Sequence, residues 1–463
     1  MFKKIILLFL LFLFQTPVFS SEISSSVNKI LNSYDFDKNA IVSISIKDKN
    51  TSETIFEKSE KKDLNPASAM KLYSAIAAMN TLGENYEFKT SIYKDKNNNL
   101  YVKLSADPLL REEDLNTLAK NLKENYKGKI NKIYIDDSII DLIPYPESWQ
   151  IDDSWPNTPK ISPYMVDYNT VSVDIMLNDN KKDIRFIQRS PYRFSFVNRL
   201  EYGNSNNVRF VYDEELNVVN VMGTINSSIT SKRIPVLNPR YFFCKKLNDA
   251  LNKNGIKFND KFLFAKTPAD SVKIAEISRP LDIIVKHILN TSDNVASEML
   301  FKVAGAKYAS DKSPVKSNYN HTFGTTENGI NMFLEHYKNL GLDVDEIQVK
   351  DGSGVSRYDI LNTDWMNNAL IKSGFDCEKY LPTANQGTLN KRMRGLENKV
   401  YFKTGTHRGT SALVGIIKTF DTTYCYSSIM TNYKINHTLL KAIEDEIVYR
   451  IYRIKKEDIN ENE

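Results

Sequence analysis

Asn65-Pro66-Ala67-Ser68-Ala69-Met70-Lys71 heads an apolar run that continues through Tyr73, Ile76, Ala77 and Met79 and closes at Gly83. Proline just ahead of a helical apolar pattern and glycine just past it mark the ends of a buried helix, so Ser68 is expected at its start. Lys71, three residues on, shares a helix face with Ser68. A serine hydroxyl is a poor nucleophile until a neighbouring base takes its proton. A lysine one turn away can be that base when burial, nearby positive charge and the helix dipole keep its amine neutral. Ser-x-x-Lys also occurs at Ser26, Ser59, Ser91 and Ser313, where it reads as an exposed serine near a lysine; only Ser68 opens a strongly apolar helix.

Downstream, Ser292-Asp293-Asn294 occurs once and follows the apolar pattern Leu281, Ile283, Ile284, His287 and Ile288, which places it in a loop after a helix. Taken alone it is a turn or helix cap, since all three side chains bond readily to local backbone. Lys403-Thr404-Gly405, also unique, precedes Thr406 at the end of an expected strand. A strand edge offers backbone donors and acceptors to an extended peptide, glycine lets it come close, and lysine with threonine suits a terminal carboxylate.

The elements around these motifs are readable in outline. A helix is expected near 23–33 and a hairpin from 40–46 and 53–57 around Lys47-Asp48-Lys49-Asn50. Strands are expected over 399–404, 412–418 and 424–430, then an amphipathic helix from His437 to about Ile454. Its stripe of Leu439, Leu440, Ile443, Ile447 and Ile451 reads as packing on a sheet rather than on a membrane surface. Successive strands with short turns imply an α+β fold, an antiparallel sheet flanked by helices.

Met1-Phe2-Lys3-Lys4, the apolar run from Ile5 to Phe14 and the small residues near Ser20 read as a secretory signal peptide over 1–20, too short for a stable membrane span. Its removal takes the formal net charge from +5 to +3, and basic and acidic residues are interspersed, which argues against nucleic-acid binding. Cys244, Cys377 and Cys425 leave at least one thiol unpaired, so no disulfide framework is expected. The length exceeds one ordinary core, and the end, 456–463, reads as a polar tail.

Ser-x-x-Lys, Ser-Asp-Asn and Lys-Thr-Gly in this order form the set found in penicillin-binding proteins and class A β-lactamases. On these motifs the chain resembles the D-alanyl-D-alanine carboxypeptidase/endopeptidase family of low-molecular-mass class C penicillin-binding proteins that carry a large insertion after the first motif. Ala106-Asp107-Pro108-Leu109-Leu110, Ile135-Asp136-Asp137-Ser138, Asp351-Gly352-Ser353-Gly354-Val355-Ser356-Arg357, Leu381-Pro382-Thr383-Ala384 and Gly387-Thr388-Leu389 add to the likeness. The 224-residue separation of Ser68 from Ser292 sets it apart from β-lactamases. Two departures stand out: Ser105-Ala106 where glycines usually precede the Asp-Pro, and His407-Arg408 where less basic residues are expected.

The resemblance implies a transpeptidase/β-lactamase-like core over 21–84 and 266–455, interrupted by accessory domains over 85–265. It further implies a periplasmic enzyme, without metal or cofactor, that trims peptidoglycan peptides and is acylated by β-lactam antibiotics, with a homodimer left open. Ser68, Lys71, Ser292, Asn294 and Lys403 would be catalytic. Ser68 and Thr406 N–H groups would form the oxyanion hole. Thr404, Gly405 and Thr406 would bind substrate, with Asp153 and Arg357 contacting the stem peptide's third residue. A β-lactamase-like hydrolase and a non-catalytic cell-wall-binding protein are the alternatives. No Gly-x-Ser-x-Gly elbow and no His-Glu-x-x-His or Cys/His cluster supports a Ser-His-Asp hydrolase or a zinc peptidase.

Overall fold

The computed structural model describes residues 22–153, 158–178, 183–188, 190, 192–213, 216, 218–259, 261–312 and 324–454. The expected leader 1–20 and tail 456–463 lie outside them. The chain divides into two compact units, one comprising residues up to Thr81, Val285–Ser297 and those from Ile330 on, the other Leu82–Ile284 and Glu298–Gly329.

The unit that holds Ser68 is organised on a five-stranded antiparallel sheet whose order is Val400–His407, Thr410–Lys418, Thr423–Thr431, Ile41–Asp48 and Thr54–Lys58. Alternation along Ile41–Asp48 explains its two faces. Val42, Ile44 and Ile46 join an apolar core with Ile23, Val27 and Leu31 of the helix over 22–33 and with Leu440, Ile443, Ile447, Val448 and Ile451 of the helix His437–Arg453. The last helix therefore packs on the sheet as expected, although Leu439 turns out of the stripe and is exposed.

Ser43 and Ser45 face the other way, toward the helix Thr363–Ser373. Ser43 Oγ and Thr363 Oγ1 lie 2.7 Å apart, and the Asn367 amide donates to Ser45 O at 2.8 Å while its oxygen accepts from Ser427 Oγ at 2.6 Å. Buried polar groups are tolerated here because each finds a partner. On that side Tyr73, from the helix Met70–Leu82, packs edge-on against Trp365 and Tyr337.

The second unit contains a mixed five-stranded sheet ordered Phe262–Phe264, Ile133–Asp136, Leu100–Lys103, Glu87–Lys94 and Val272–Pro280, and two three-stranded sheets. Its core draws Leu115, Leu118 and Leu122 from the helix Glu112–Asn125 and Phe242, Phe243 and Leu247 from Pro239–Lys253. Among the described residues no helix is long and apolar enough to cross a membrane, and Cys244, Cys377 and Cys425 are free thiols.

Candidate active site

Ser68 sits in a short 3-10 turn, Ala67–Ala69, that runs into the helix Met70–Leu82. The turn is held from outside. Asn65 accepts the Ala67 N–H at 2.9 Å, and its amide donates to the Ser356 and Asp359 carbonyls, each at 2.9 Å. Ala67 adopts a left-handed φ of 47°, a conformation costly for a residue with a Cβ, which these bonds help to hold. Ser68 is half-buried and Lys71 fully buried.

A second segment supports Lys71. Asp351 accepts the N–H groups of Ser353 (3.1 Å), Gly354 (2.6 Å), Val355 (3.0 Å) and Ser356 (2.7 Å), coiling the chain around one buried carboxylate. Gly354, at φ 69°, lies so close to the nucleophile turn that a Cβ there would stand 2.0 Å from Ala67 O, so only glycine fits. This seats the Ser353 carbonyl where Lys71 Nζ donates to it at 2.6 Å. Lys71 Nζ also lies 2.9 Å from Ser68 Oγ and donates to Asn294 Oδ1 at 2.7 Å.

Ser292 closes the helix Leu281–Thr291 with φ 60°, its N–H donating to Ile288 O at 2.8 Å. Asp293 then caps the helix Asn294–Lys312, accepting the Ala296 N–H at 3.0 Å. Its other carboxylate oxygen lies 3.0 Å from His287 Nε2. Burial alone would raise the Asp293 pKa, but the bonds from His287 and Ala296 and the positive charges of His287 and Lys71 outweigh it and hold the carboxyl below its ordinary value.

Lys403 lies in the edge strand Val400–His407, fully buried, with Nζ donating to Ser292 Oγ at 2.9 Å and to the Thr404 carbonyl at 2.7 Å. Burial, reinforced by the nearby charge of Lys71, pushes its pKa well below the usual lysine range. Gly405 packs against the nucleophile turn, and Thr406, on the opposite strand face, is exposed.

Ser68, Lys71, Ser292, Asn294 and Lys403 thus converge, in two bonded clusters built on Lys71 and Lys403, beside Thr404, Gly405 and Thr406. Arg357 is exposed just past the Asp351 loop. Asp153 belongs to the other unit, in the turn Ile151–Asp153, where its carbonyl accepts from Thr158 Oγ1 at 2.9 Å. The roles of Asn65, Asp351 and Ser353 have no signature in the sequence. The Asp-Gly-Ser-Gly stretch was visible, but a carboxylate collecting four N–H groups has no spacing signature. In chemical terms the site offers a hydroxyl beside an amine, a second hydroxyl beside a second amine, and an adjacent strand edge.

The sequence model of the D-Ala-D-Ala carboxypeptidase 3 (S13) family matches residues 23–453. A D-alanyl-D-alanine carboxypeptidase from an Actinomadura species is 25% identical over 452 residues, covering 89% of this chain and 81% of that one. The D-alanyl-D-alanine carboxypeptidase DacB of Haemophilus influenzae is 23% identical over 379 residues, covering 76% and 77%. The crystal structure of penicillin binding protein 4 from Haemophilus influenzae is similar at a TM-score of 0.75 and 20% identity, over 91% of this chain and 98% of that one. That likeness bears out the expected α+β fold with a transpeptidase-like core, and the match over residues 23–453 bears out the resemblance read from the three motifs: the chain belongs to the D-Ala-D-Ala carboxypeptidase 3 (S13) family.

Proposed function

We propose that this enzyme is a serine D-Ala-D-Ala carboxypeptidase, able also to act as a DD-endopeptidase, that cleaves peptidoglycan stem peptides through an acyl-enzyme at Ser68. The observation that carries the assignment is the set of partners around Lys71. Asn294 Oδ1 and Ser353 O can only accept hydrogen bonds, whereas Ser68 can donate. In its neutral form Lys71 spends two N–H groups on those acceptors and turns its lone pair to the Ser68 hydroxyl.

In this reading Lys71 takes the proton as Ser68 Oγ attacks the carbonyl between the two D-alanines. The oxyanion is met by the Ser68 and Thr406 N–H groups. Ser292, bonded to Lys403, passes a proton to the departing amine, and Asn294 holds both Lys71 and the substrate's amide. The carbonyl–nitrogen bond breaks, the terminal D-alanine leaves, and water later releases the acyl group and restores the Ser68 hydroxyl. Lys403, Thr404 and Thr406 receive the terminal carboxylate, Gly405 lets the peptide and strand lie close, and Arg357 contacts the third residue of the stem. The leader read at 1–20 supports action outside the cytoplasm, in the periplasm.

Release of D-alanine from an acylated L-Lys-D-Ala-D-Ala peptide tests this. Wild type should release it, and Lys71→Ala should lose about 10²- to 10⁴-fold, the range for a general base. A folded wild type inert toward this peptide and toward cross-linked muropeptides would overturn the reading.

A further inference from the structure

Alternate residues of the strand Val400–His407 point to the same face, and three of them meet three different segments of the site. Lys403 Nζ reaches Ser292 Oγ at 2.9 Å. Gly405 lies against Pro66 O and Ala69 N. His407, half-buried, brings Nε2 to 2.7 Å from Gly354 O. The third contact belongs to no motif, and His407 stands where the family likeness leads one to expect a less basic residue.

A carbonyl oxygen only accepts, so His407 carries a proton on Nε2 in this bond. Its partner is well placed to matter: Gly354 is the residue packed on Ala67 O, and the neighbouring Ser353 carbonyl receives Lys71 Nζ. Asp351 sets the internal shape of this loop. The His407 bond does something different, tying the loop to the edge strand across the nucleophile turn.

We propose that His407 is a positioning residue for acylation: by holding Gly354 O it seats the 351–356 loop on the turn of Ser68 and keeps Ser353 O, Lys71 Nζ and Ser68 Oγ in register. The proposal rests on the reading of Ser68 as nucleophile and Lys71 as base. A displacement near 1 Å at such a site can cost about 100-fold in rate.

The test is the acylation rate by benzylpenicillin, followed by intact mass over time at several drug concentrations, for wild type and for His407→Gln, His407→Asn and His407→Leu. Gln can place an amide N–H near the position of Nε2, whereas Asn is too short to reach. The limiting acylation rate should stay within about 3-fold of wild type in the Gln variant and fall about 10- to 100-fold in the Asn and Leu variants, with half-saturating drug concentration and melting temperature little changed. If Leu prevents folding, the Gln and Asn pair carries the comparison. Leu or Asn acylating as fast as wild type, or Gln as slow as Asn, would overturn the role of His407. The wild-type arm reports on Ser68 alone: without a Ser68 adduct there, the nucleophile assignment fails first and this proposal falls with it.

Discussion

Gly405 and Pro66 touch backbone to backbone: a Cβ on Gly405 would stand 2.5 Å from the Pro66 carbonyl oxygen and 3.0 Å from the Ala69 nitrogen. The edge strand can flank Ser68 this closely only because no side chain intervenes. Gly405→Ala should therefore push the strand off the nucleophile turn and lower the acylation rate by about 100-fold. Stopped-flow acylation with a chromogenic cephalosporin checks this, and a rate equal to wild type would show that the close approach is not needed.

Lys403 is buried with a pKa held well below its ordinary 10.5. The unfolded chain binds a proton there more tightly than the native state, so this group's penalty on folding is full below the native pKa. It fades as pH rises toward 10.5 and is gone above it. Lys403→Met removes the penalty along with the proton relay. The melting temperature of the variant minus that of wild type should fall as pH rises from 7 toward 10, while D-alanine release is lost. A difference independent of pH would contradict the assigned direction.

Asp293 contributes a stabilisation where Lys403 contributes a penalty, because a lowered pKa favours the charged form of a carboxyl and disfavours that of an amine; the Asp293 pKa is lowered from 3.8, and its stabilisation is present above that value and lost as pH falls through the native pKa. Asp293→Ala also deletes a helix cap, costing about 1–2 kcal/mol. Urea titrations at several pH values should show the full difference at pH 6 and a shrinking one below pH 3.8.

The parts of this fold that were legible are those governed by local periodicity. The helix after Ser68 and the three C-terminal strands announce themselves by spacing alone, and the motif order pointed to the two lysine-centred clusters. What was not legible depends on long-range closure. Asn65 bonds the carbonyls of Ser356 and Asp359, nearly three hundred residues away, and nothing near Asn65 in sequence signals that. The stretch after residue 85 showed only mixed signals because its sheet combines antiparallel Glu87–Lys94 and Leu100–Lys103 with a parallel partner, Ile133–Asp136, reached through an intervening helix. Leu439 misled for a simpler reason: the buried face runs through Leu440, Ile443, Glu444, Ile447, Val448 and Ile451, and Leu439 lies just off its edge.

Glu444 is fully buried at the back of the sheet, accepting from Ser411 Oγ at 2.6 Å and from Arg392 at 2.9 Å, while Arg392 also bonds Asp445 at 2.6 Å. Arg392→Met strands a buried carboxylate and should cost about 3–5 kcal/mol, whereas Arg392→Met with Glu444→Met should recover most of it. Chemical denaturation of the single and double variants checks this, and a double variant no more stable than the single one would refute it.

Intact-mass spectrometry of the purified protein after incubation with benzylpenicillin, run beside Ser68→Ala, tests directly whether Ser68 is the nucleophile. Wild type should carry a stable adduct of the drug's mass, mapping to the peptide that contains Ser68, and the variant none. An adduct that persists in Ser68→Ala, or a folded wild type that takes up no drug and turns none over, would contradict that assignment of Ser68.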